Sequence, residues 1–312
     1  MKVLFTAIGR RVQLIKHFKE YHRVIGVDIE ELVPAKYFVD AFYKVPKWND
    51  KDYLDVLLSI CEKERVDMII PLFEKEFISL CENRKKFNEI GTALILSDKK
   101  IIETFNDKWK SYKFFMSNNI DTPKTYNKQN LRDYSFPLII KPTDGAGSKS
   151  VFKVNNDKEL SFFIDYIENP IIQEYVEGTE YTIDVLCDLD GNAISIVPRA
   201  RIEVRAGEVS KGRTVKDMAI IERTLELCNK LKIDENIKPI GPLTIQCIVD
   251  LKGNIKFIEV NPRFGGGVPL SFEAGVAYAE LLRKMVKGEE ILPIIGEFKE
   301  LTMLRYDEAV YI

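Results

Sequence analysis

Over the first hundred residues short apolar runs alternate with amphipathic helical stretches, and after Phe136 that alternation gives way to strands joined by short turns. A chain that makes this switch needs two kinds of sheet. Strand–helix–strand units close parallel pairs, and short turns close antiparallel ones. Val3–Ile8, Val24–Asp28, Met68–Leu72 and Ala93–Leu96 read as strands. Between them Arg11–Tyr21, with Val12, Ile15 and Phe18 on one face, Asp52–Glu64 and Phe77–Phe87 read as helices. The result is a parallel α/β layer whose ligands are expected at the carboxyl ends of its strands. Residues 101–120 are helical, and a polar connection with Pro123 follows. Leu138–Lys141, Val151–Val154 and Ile171–Tyr175 are the next strands, with a helix over Lys158–Ile167. Thr179–Cys187 and Ala193–Arg201 pair around Asp190-Gly191-Asn192. Arg201 to Asp217 is charged and glycine-interrupted, so a loop or lid is expected there. Helices over Ala219–Leu231 and Ala279–Val286 and a last strand over Leu301–Ile312 complete the reading.

Composition narrows the function. A net charge of −2 over 312 residues supplies no general field for nucleic acid or an anionic membrane. No apolar run reaches the roughly 18 residues that span a bilayer. The start, Met1 to Gly9, reads as a buried strand and not as a signal peptide. Five cysteines are scattered without a CxxC pair, as expected of reduced thiols in a cytoplasmic protein. Only His17 and His22 are present, which argues against a histidine-based triad or metal cluster. Chemistry here falls to carboxylates, lysines, arginines and amides.

Thr244 to Arg263 is two alternating apolar runs around Lys252-Gly253, a hairpin signature. A turn centred there sets Gln246 across from Glu259 and Thr244 across from Asn261. Glu259 and Asn261, two apart, share a face. A carboxylate, two amides and Arg263 then converge on one patch, a set suited to magnesium and phosphate. An amphipathic edge hairpin with a polar outer face has the same pattern. A second segment, Leu138 to Ser150, places Lys141 on a strand before Asp144-Gly145-Ala146-Gly147-Ser148-Lys149. It satisfies neither the P-loop nor the dinucleotide fingerprint. A glycine-containing loop between antiparallel strands makes a flap whose N–H groups can cover phosphates; an ordinary hairpin tip is the alternative. In the third, Ile171 to Asp184, an apolar strand runs into Glu177-Gly178 and alternates again, as at a hinge between two β-layers.

These segments, in this order, resemble the ATP-grasp family, over about residues 105–290. The nearest likeness is to short proteins similar to one ATP-grasp unit of the carbamoyl phosphate synthase large subunit. The resemblance implies an α/β fold with a preceding domain over 1–104, a small lobe with the phosphate flap over 105–178 and a large lobe over 179–312. It also implies ATP and two Mg²⁺ ions, with Mn²⁺ a possible substitute. On that likeness Lys108 and Lys141 face phosphates, Ser148 lies in the flap, and Gln173, Glu174 and the Val176 backbone line the adenine. Glu180 holds the ribose. Glu259 bridges the metals, with Gln246 and Asn261 on one each. Arg263 faces the phosphoryl group, so Arg263 and Lys141 are the catalytic candidates. The implied chemistry is a carboxylate–amine ligase working through an acyl phosphate, on amino-acid-like substrates. Alternatives are a bicarbonate-activating enzyme and an ATP-binding sensor without turnover.

The acceptor site is read from residues outside those motifs. Arg199 and Arg201 share a strand face, and a symmetric Asp190-Gly191 turn brings Arg201 opposite Glu180. The pair suits a substrate carboxylate; a salt-laced solvated strand is the competing reading. Arg10, after the first strand, and Glu74, after the strand ending at Leu72, are further substrate candidates. Small-molecule carboxylate and amine partners are expected, with a homodimer through the N-terminal layer as the default assembly.

Overall fold

The computed structural model describes residues 1–144, 150–205, 207–234 and 236–312. The N-terminal layer is a parallel sheet of β1 (Lys2–Phe5), β2 (Arg23–Asp28), β3 (Ala41–Lys44), β4 (Met68–Ile70) and β5 (Ala93–Leu94), in the order β3-β2-β1-β4-β5. Its helices are α1 (Val12–Lys19), α2 (Tyr53–Glu64), α3 (Phe77–Glu82) and α4 (Arg84–Glu89). The sequence reading missed β3, a short edge strand that packs only partly buried side chains. Two helices, α5 (Lys99–Phe105) and α6 (Lys108–Ser117), lead out of the layer. The Asp107 carboxylate caps α6, accepting from the N–H groups of Trp109 at 2.8 Å and Lys110 at 2.9 Å.

A four-stranded antiparallel sheet follows, in the order β6-β9-β7-β8, built from β6 (Thr125–Tyr126), β7 (Leu138–Pro142), β8 (Phe152–Val154) and β9 (Pro170–Glu174). One face buries Leu138, Ile140, Val154 and Ile172 against α7 (Asp157–Tyr166), in a core of its own. Tyr175–Glu177 then carries the chain into a six-stranded sheet. That sheet, ordered β14-β13-β10-β11-β12-β15, comprises β10 (Gly178–Cys187), β11 (Ala193–Arg205), β12 (Glu208–Thr214), β13 (Gly241–Asp250), β14 (Ile255–Asn261) and β15 (Thr302–Leu304). The helices of this region are α8 (Met218–Leu231), α9 (Pro269–Glu273) and α10 (Tyr278–Lys287). No described helix is long and apolar enough to cross a membrane.

Two expectations are corrected here. Arg201–Asp217 is not a loop: β11 runs to Arg205 and turns back as β12. The C-terminal strand is only Thr302–Leu304, an edge paired to Lys211–Arg213. The 244–263 hairpin reaches its expected register by an unexpected route. Near the turn Val249 opposes Ile255 and Cys247 opposes Phe257, one residue off a turn centred between Lys252 and Gly253. A bulge after Gln246 then restores the pairs Gln246–Glu259 and Thr244–Asn261.

The N-terminal layer and the six-stranded sheet share one apolar core, which joins Val3, Phe5 and Ile8 to Ile183, Ile245, Val260 and Phe264. Polar contacts lock the same junction. Ser97 Oγ accepts from the Ile240 N–H at 3.2 Å, and the Asp98 carboxylate from Lys238 N–H at 2.9 Å. The four-stranded sheet is the separable body.

At the carboxyl end of the parallel sheet Glu76 is buried, accepting from the Thr6 and Tyr53 hydroxyls and from Phe73 N–H at 3.4 Å. Burial pushes its carboxyl from 4.5 up to about 7, against the pull of those donors. Between those values the folded protein keeps a proton that the unfolded chain has lost, so stability falls as pH rises through that window. Urea unfolding of the protein and of Glu76→Gln at pH 5 and pH 7.5 checks this. The difference between the two proteins should shift by on the order of 2 kcal/mol across that interval, in the variant's favour at the higher pH.

Candidate functional site

Strand pairing lays a polar row across one face of the six-stranded sheet: Glu259, Gln246, Thr182, Arg199 and Thr214 on β14, β13, β10, β11 and β12. Adjacent members are one strand spacing apart, about 4.8 Å. Asn261, Thr244 and Asp184 form the neighbouring row on the same face. Ile183, Ile245 and Val260 alternate to the other face and enter the core with Ile220 and Leu227 of α8. Period-2 patterning therefore separates a face that holds the sheet from a face that presents chemistry.

Glu259, Gln246 and Asn261 are half-buried, and none of their side chains makes a hydrogen bond or short ion pair among the described residues. Lys108 and Lys141 face Glu259 from α6 and β7. Burial pushes the Lys141 ammonium down to about 8, helped by repulsion from Lys108 and opposed by Glu259 and Glu180. Lys108 is lowered too, mainly by burial, with Glu259, Asp144 and Asp107 acting against it. Its Nζ lies 3.4 Å from the Thr143 carbonyl oxygen, to which it donates. Two cations thus face the Glu259 carboxylate together, and an arriving anion would offset their burial.

No described cluster of three or more His, Cys, Asp or Glu side chains could hold a metal. The set here is one carboxylate and two uncommitted amide oxygens. Magnesium fits it, since that ion takes few hard oxygen ligands from protein and keeps positions for phosphate.

The remaining candidates fall out as follows. The Gln173 side chain is buried and donates to Thr125 Oγ1 at 2.8 Å, bracing β9 to β6. Glu174 pairs with Lys256 of β14, tying the small sheet to the large one. Val176 lies half-buried in the connection between the two sheets. Glu180 Oε1 is 3.1 Å from Arg201 Nε, the neighbour relation expected from the turn. Ser148 lies outside the described residues. Arg199 departs from the expectation of an accessible anchor. It is 1% exposed, and its fork is taken by Asp184, at 2.6 Å from Nε and 3.0 Å from Nη2. Ser271 Oγ donates to the same carboxylate at 2.5 Å. The remaining nitrogen, Nη1, has no partner among the described residues and lies beneath Gly267, where a Cβ would come within 2.4 Å of it.

Arg263 Nε donates to Glu74 Oε1 at 2.5 Å, joining the loop after β14 to the segment after β4. Arg10 is exposed, and its neighbour Arg11 turns inward toward Glu74, Glu208 and Arg263. Sequence reasoning missed Asp184, and at Gly9-Arg10-Arg11 it took Arg10 and not Arg11 as the substrate candidate. Asp184 was within its reach, being two residues from Thr182 on the polar face.

Residues 105–267 match the family model described as ATP-grasp domain, and residues 3–95 match one described as PylC-like, N-terminal domain. The carbamoyl phosphate synthase large chain of Clostridium botulinum (strain Kyoto / Type A2) is 26% identical over 294 residues, covering 84% of this chain and 27% of that protein. D-alanine--D-alanine ligase of Fusobacterium nucleatum is 29% identical over 159 residues, 50% of this chain and 55% of that one. The biotin carboxylase domain of Hydrogenobacter thermophilus 2-oxoglutarate carboxylase, solved with MgADP, ADP and bicarbonate, superimposes with a TM-score of 0.73. It is 18% identical, with 93% of this chain and 70% of that one covered.

A titration of the ligand-free protein tests the charge arrangement. NMR of reductively ¹³C-methylated protein should show one lysine, absent from Lys141→Arg, that loses its proton near pH 8. In Glu259→Gln that midpoint moves lower, because the attraction that favours the cation is gone. An unmoved midpoint would separate the two groups.

Proposed function

The chain belongs to the ATP-grasp family, and we propose that it is an ATP- and magnesium-dependent ligase that joins a carboxylic acid to an amine through an acyl phosphate. It spans 27% of the length of the carbamoyl phosphate synthase it matches, so the activity of that whole protein is not carried over. The observation that carries the reading is the uncommitted trio Gln246, Glu259 and Asn261 opposite Lys108 and Lys141.

In this reading residues 1–104, 105–178 and 179–312 serve as preceding domain, small lobe and large lobe. The nucleotide lies between the two lobes, its adenine against Glu174 and the Val176 backbone and its ribose at Glu180. Gln173, turned to Thr125, acts by holding β9 in place. Glu259 with Gln246 and Asn261 would hold two Mg²⁺ ions, or Mn²⁺ in their stead, which supply charge neutralisation at the phosphate oxygens. Lys108 and Lys141 accept the negative charge of the phosphates, and an approaching anion returns Lys141 to its charged form. Arg263, oriented by Glu74, faces the phosphoryl group as a substrate carboxylate attacks it. An amine then displaces phosphate from the acyl phosphate. Ser148 belongs to the flap that keeps water from that intermediate. Arg201, beside Glu180, is placed to orient the acid, with Arg199 and Asp184 fixing the strand beneath it. Amino-acid-like substrates suit this arrangement, as the likeness to D-alanine--D-alanine ligase suggests. Assembly as a homodimer through the N-terminal layer belongs to the same reading.

A second reading, in which bicarbonate is the activated acid, draws on the likeness to the carbamoyl phosphate synthase large chain. One assay separates the two: ADP release with Mg·ATP, screened over amino acids, dicarboxylates and bicarbonate, with hydroxylamine present. A hydroxamate formed from one acid identifies acyl-phosphate chemistry, whereas bicarbonate-dependent release without hydroxamate favours the second reading. Glu259→Gln should lower turnover by 100-fold or more, on the order of 3 kcal/mol in the barrier, with an unchanged fold. Undiminished turnover would remove Glu259 from the site.

A further inference from the structure

The sheet order β3-β2-β1-β4-β5 has one place where the winding reverses. From β1 the chain moves outward through β2 and β3, then returns to place β4 on the other side of β1. In open parallel sheets the crevice at such a switch point, outside the carboxyl ends of the strands, is where ligands bind. Its walls here are Gly9–Arg11 after β1 and Glu74 after β4. The Glu76 carboxylate spans them from beneath, bonded to Thr6 past the end of β1 and to Phe73 past β4.

Above this crevice the loop after β14 and the β11–β12 hairpin bring in further charges, and their pairing leaves one over. Glu74 is taken by Arg263 at 2.5 Å, and Glu208 by Arg305 at 2.9 Å. The Arg11 guanidinium makes no hydrogen bond or ion pair among the described residues. It is not a solvated surface group like Arg10: burial, with repulsion from Arg263, pulls it down to about 10 despite Glu208 and Glu74. A half-buried cation with no ion pair of its own is a natural seat for an anionic ligand. At Gly266 a Cβ would sit 3.4 Å from Arg11 Nη1 and 3.3 Å from Glu208 Oε1, tighter than ordinary contact, so only a glycine leaves the guanidinium undisturbed there. Arg263 also connects the crevice to Asn261, two residues before it.

We propose that this crevice binds an anionic group of the non-nucleotide substrate on Arg11, and that the substrate is an acid with a second negative group beside the carboxylate that is activated. The assignment rests on the ligase reading for the word substrate, and on the crevice alone for the anion. A carboxylate and a phosphate would satisfy Arg11 alike, and the choice of probe tells them apart.

The test is isothermal titration of the full chain, first with Mg·AMP-PNP to fill the nucleotide site, then with succinate, inorganic phosphate or butyrate. Succinate or phosphate should bind, and butyrate at least ten-fold more weakly than succinate. Arg11→Gln should weaken the bound probe ten-fold or more, Arg11→Lys less, and Gly266→Ala should weaken it too, because the added methyl presses on Arg11 Nη1 and on Glu208. Mg·AMP-PNP affinity, measured in the same titration, reports that each variant is folded. Binding of succinate alone assigns a carboxylate, and of phosphate alone a phosphate. Probe affinity unchanged in Arg11→Gln, or a protein that binds Mg·AMP-PNP and neither dianion, overturns the proposal. If Mg·AMP-PNP does not bind, the ligase reading fails. The probe titrations without nucleotide then decide the crevice by the same Arg11 comparison.

Discussion

Lys108 and Lys141 carry like charges into a poorly hydrated space, and a single carboxylate, Glu259, faces both. That arrangement is unfavourable in the ligand-free chain and must be held by structure that does not depend on it. Lys108 is the first residue of a helix capped by Asp107, so its backbone is fixed by the cap and not by its own charge. Lys141 stands on the central β7, bonded on both sides to β8 and β9. Glu259 stands on an edge strand whose register is restored by a bulge at the adjacent Ile258. Three independent local devices thus keep together groups whose Coulomb interactions alone would not assemble them.

The distribution of apolar cores explains which of these parts is free to respond. The six-stranded sheet and the parallel layer are joined by one continuous core and by backbone N–H groups donating to the Ser97 and Asp98 side chains, so Glu259, Arg263 and Glu74 belong to one body. Lys141 belongs to the small sheet, whose core is separate. That sheet meets the large one through Tyr175–Glu177 and the Glu174–Lys256 pair. A ligand that neutralises Lys141 against Glu259 draws together two bodies that share little apolar contact, which is the physical content of closing a lobe.

Much of this was legible in the sequence, and the misses have definite causes. The facing of Gln246 and Glu259 follows from a two-residue period that is hard to break where the other face is core. The bulge that restores it leaves no compositional trace. The β11–β12 extension was read as a loop because Arg201, Glu203, Arg205, Glu208, Lys211 and Arg213 crowd it. Those charges suit a strand near a sheet edge and pair across it, as Glu203 and Lys211 do at 2.7 Å. Arg10 was preferred over Arg11 because alternation has no meaning past the end of a strand. There Ala7 and Gly9 take φ values of +47° and +42°, and only the folded backbone decides which arginine turns inward.

Arg199 and Arg11 show why residue type alone could not sort anchors from braces. Both are arginines near the same glycine-rich loop, one beneath Gly267 and one beside Gly266. Arg199 has a buried carboxylate in bidentate geometry, so its charge is spent within the fold and its removal would strand Asp184. Arg11 makes no ion pair of its own among the described residues, and the carboxylates that attract it are each engaged by another arginine. A buried charge that the protein satisfies is architecture; a half-buried one left unpaired at the mouth of a switch-point crevice is recognition waiting for its ion. The difference lies in the count of partners across four distant segments of chain, a quantity that exists only once the chain has folded.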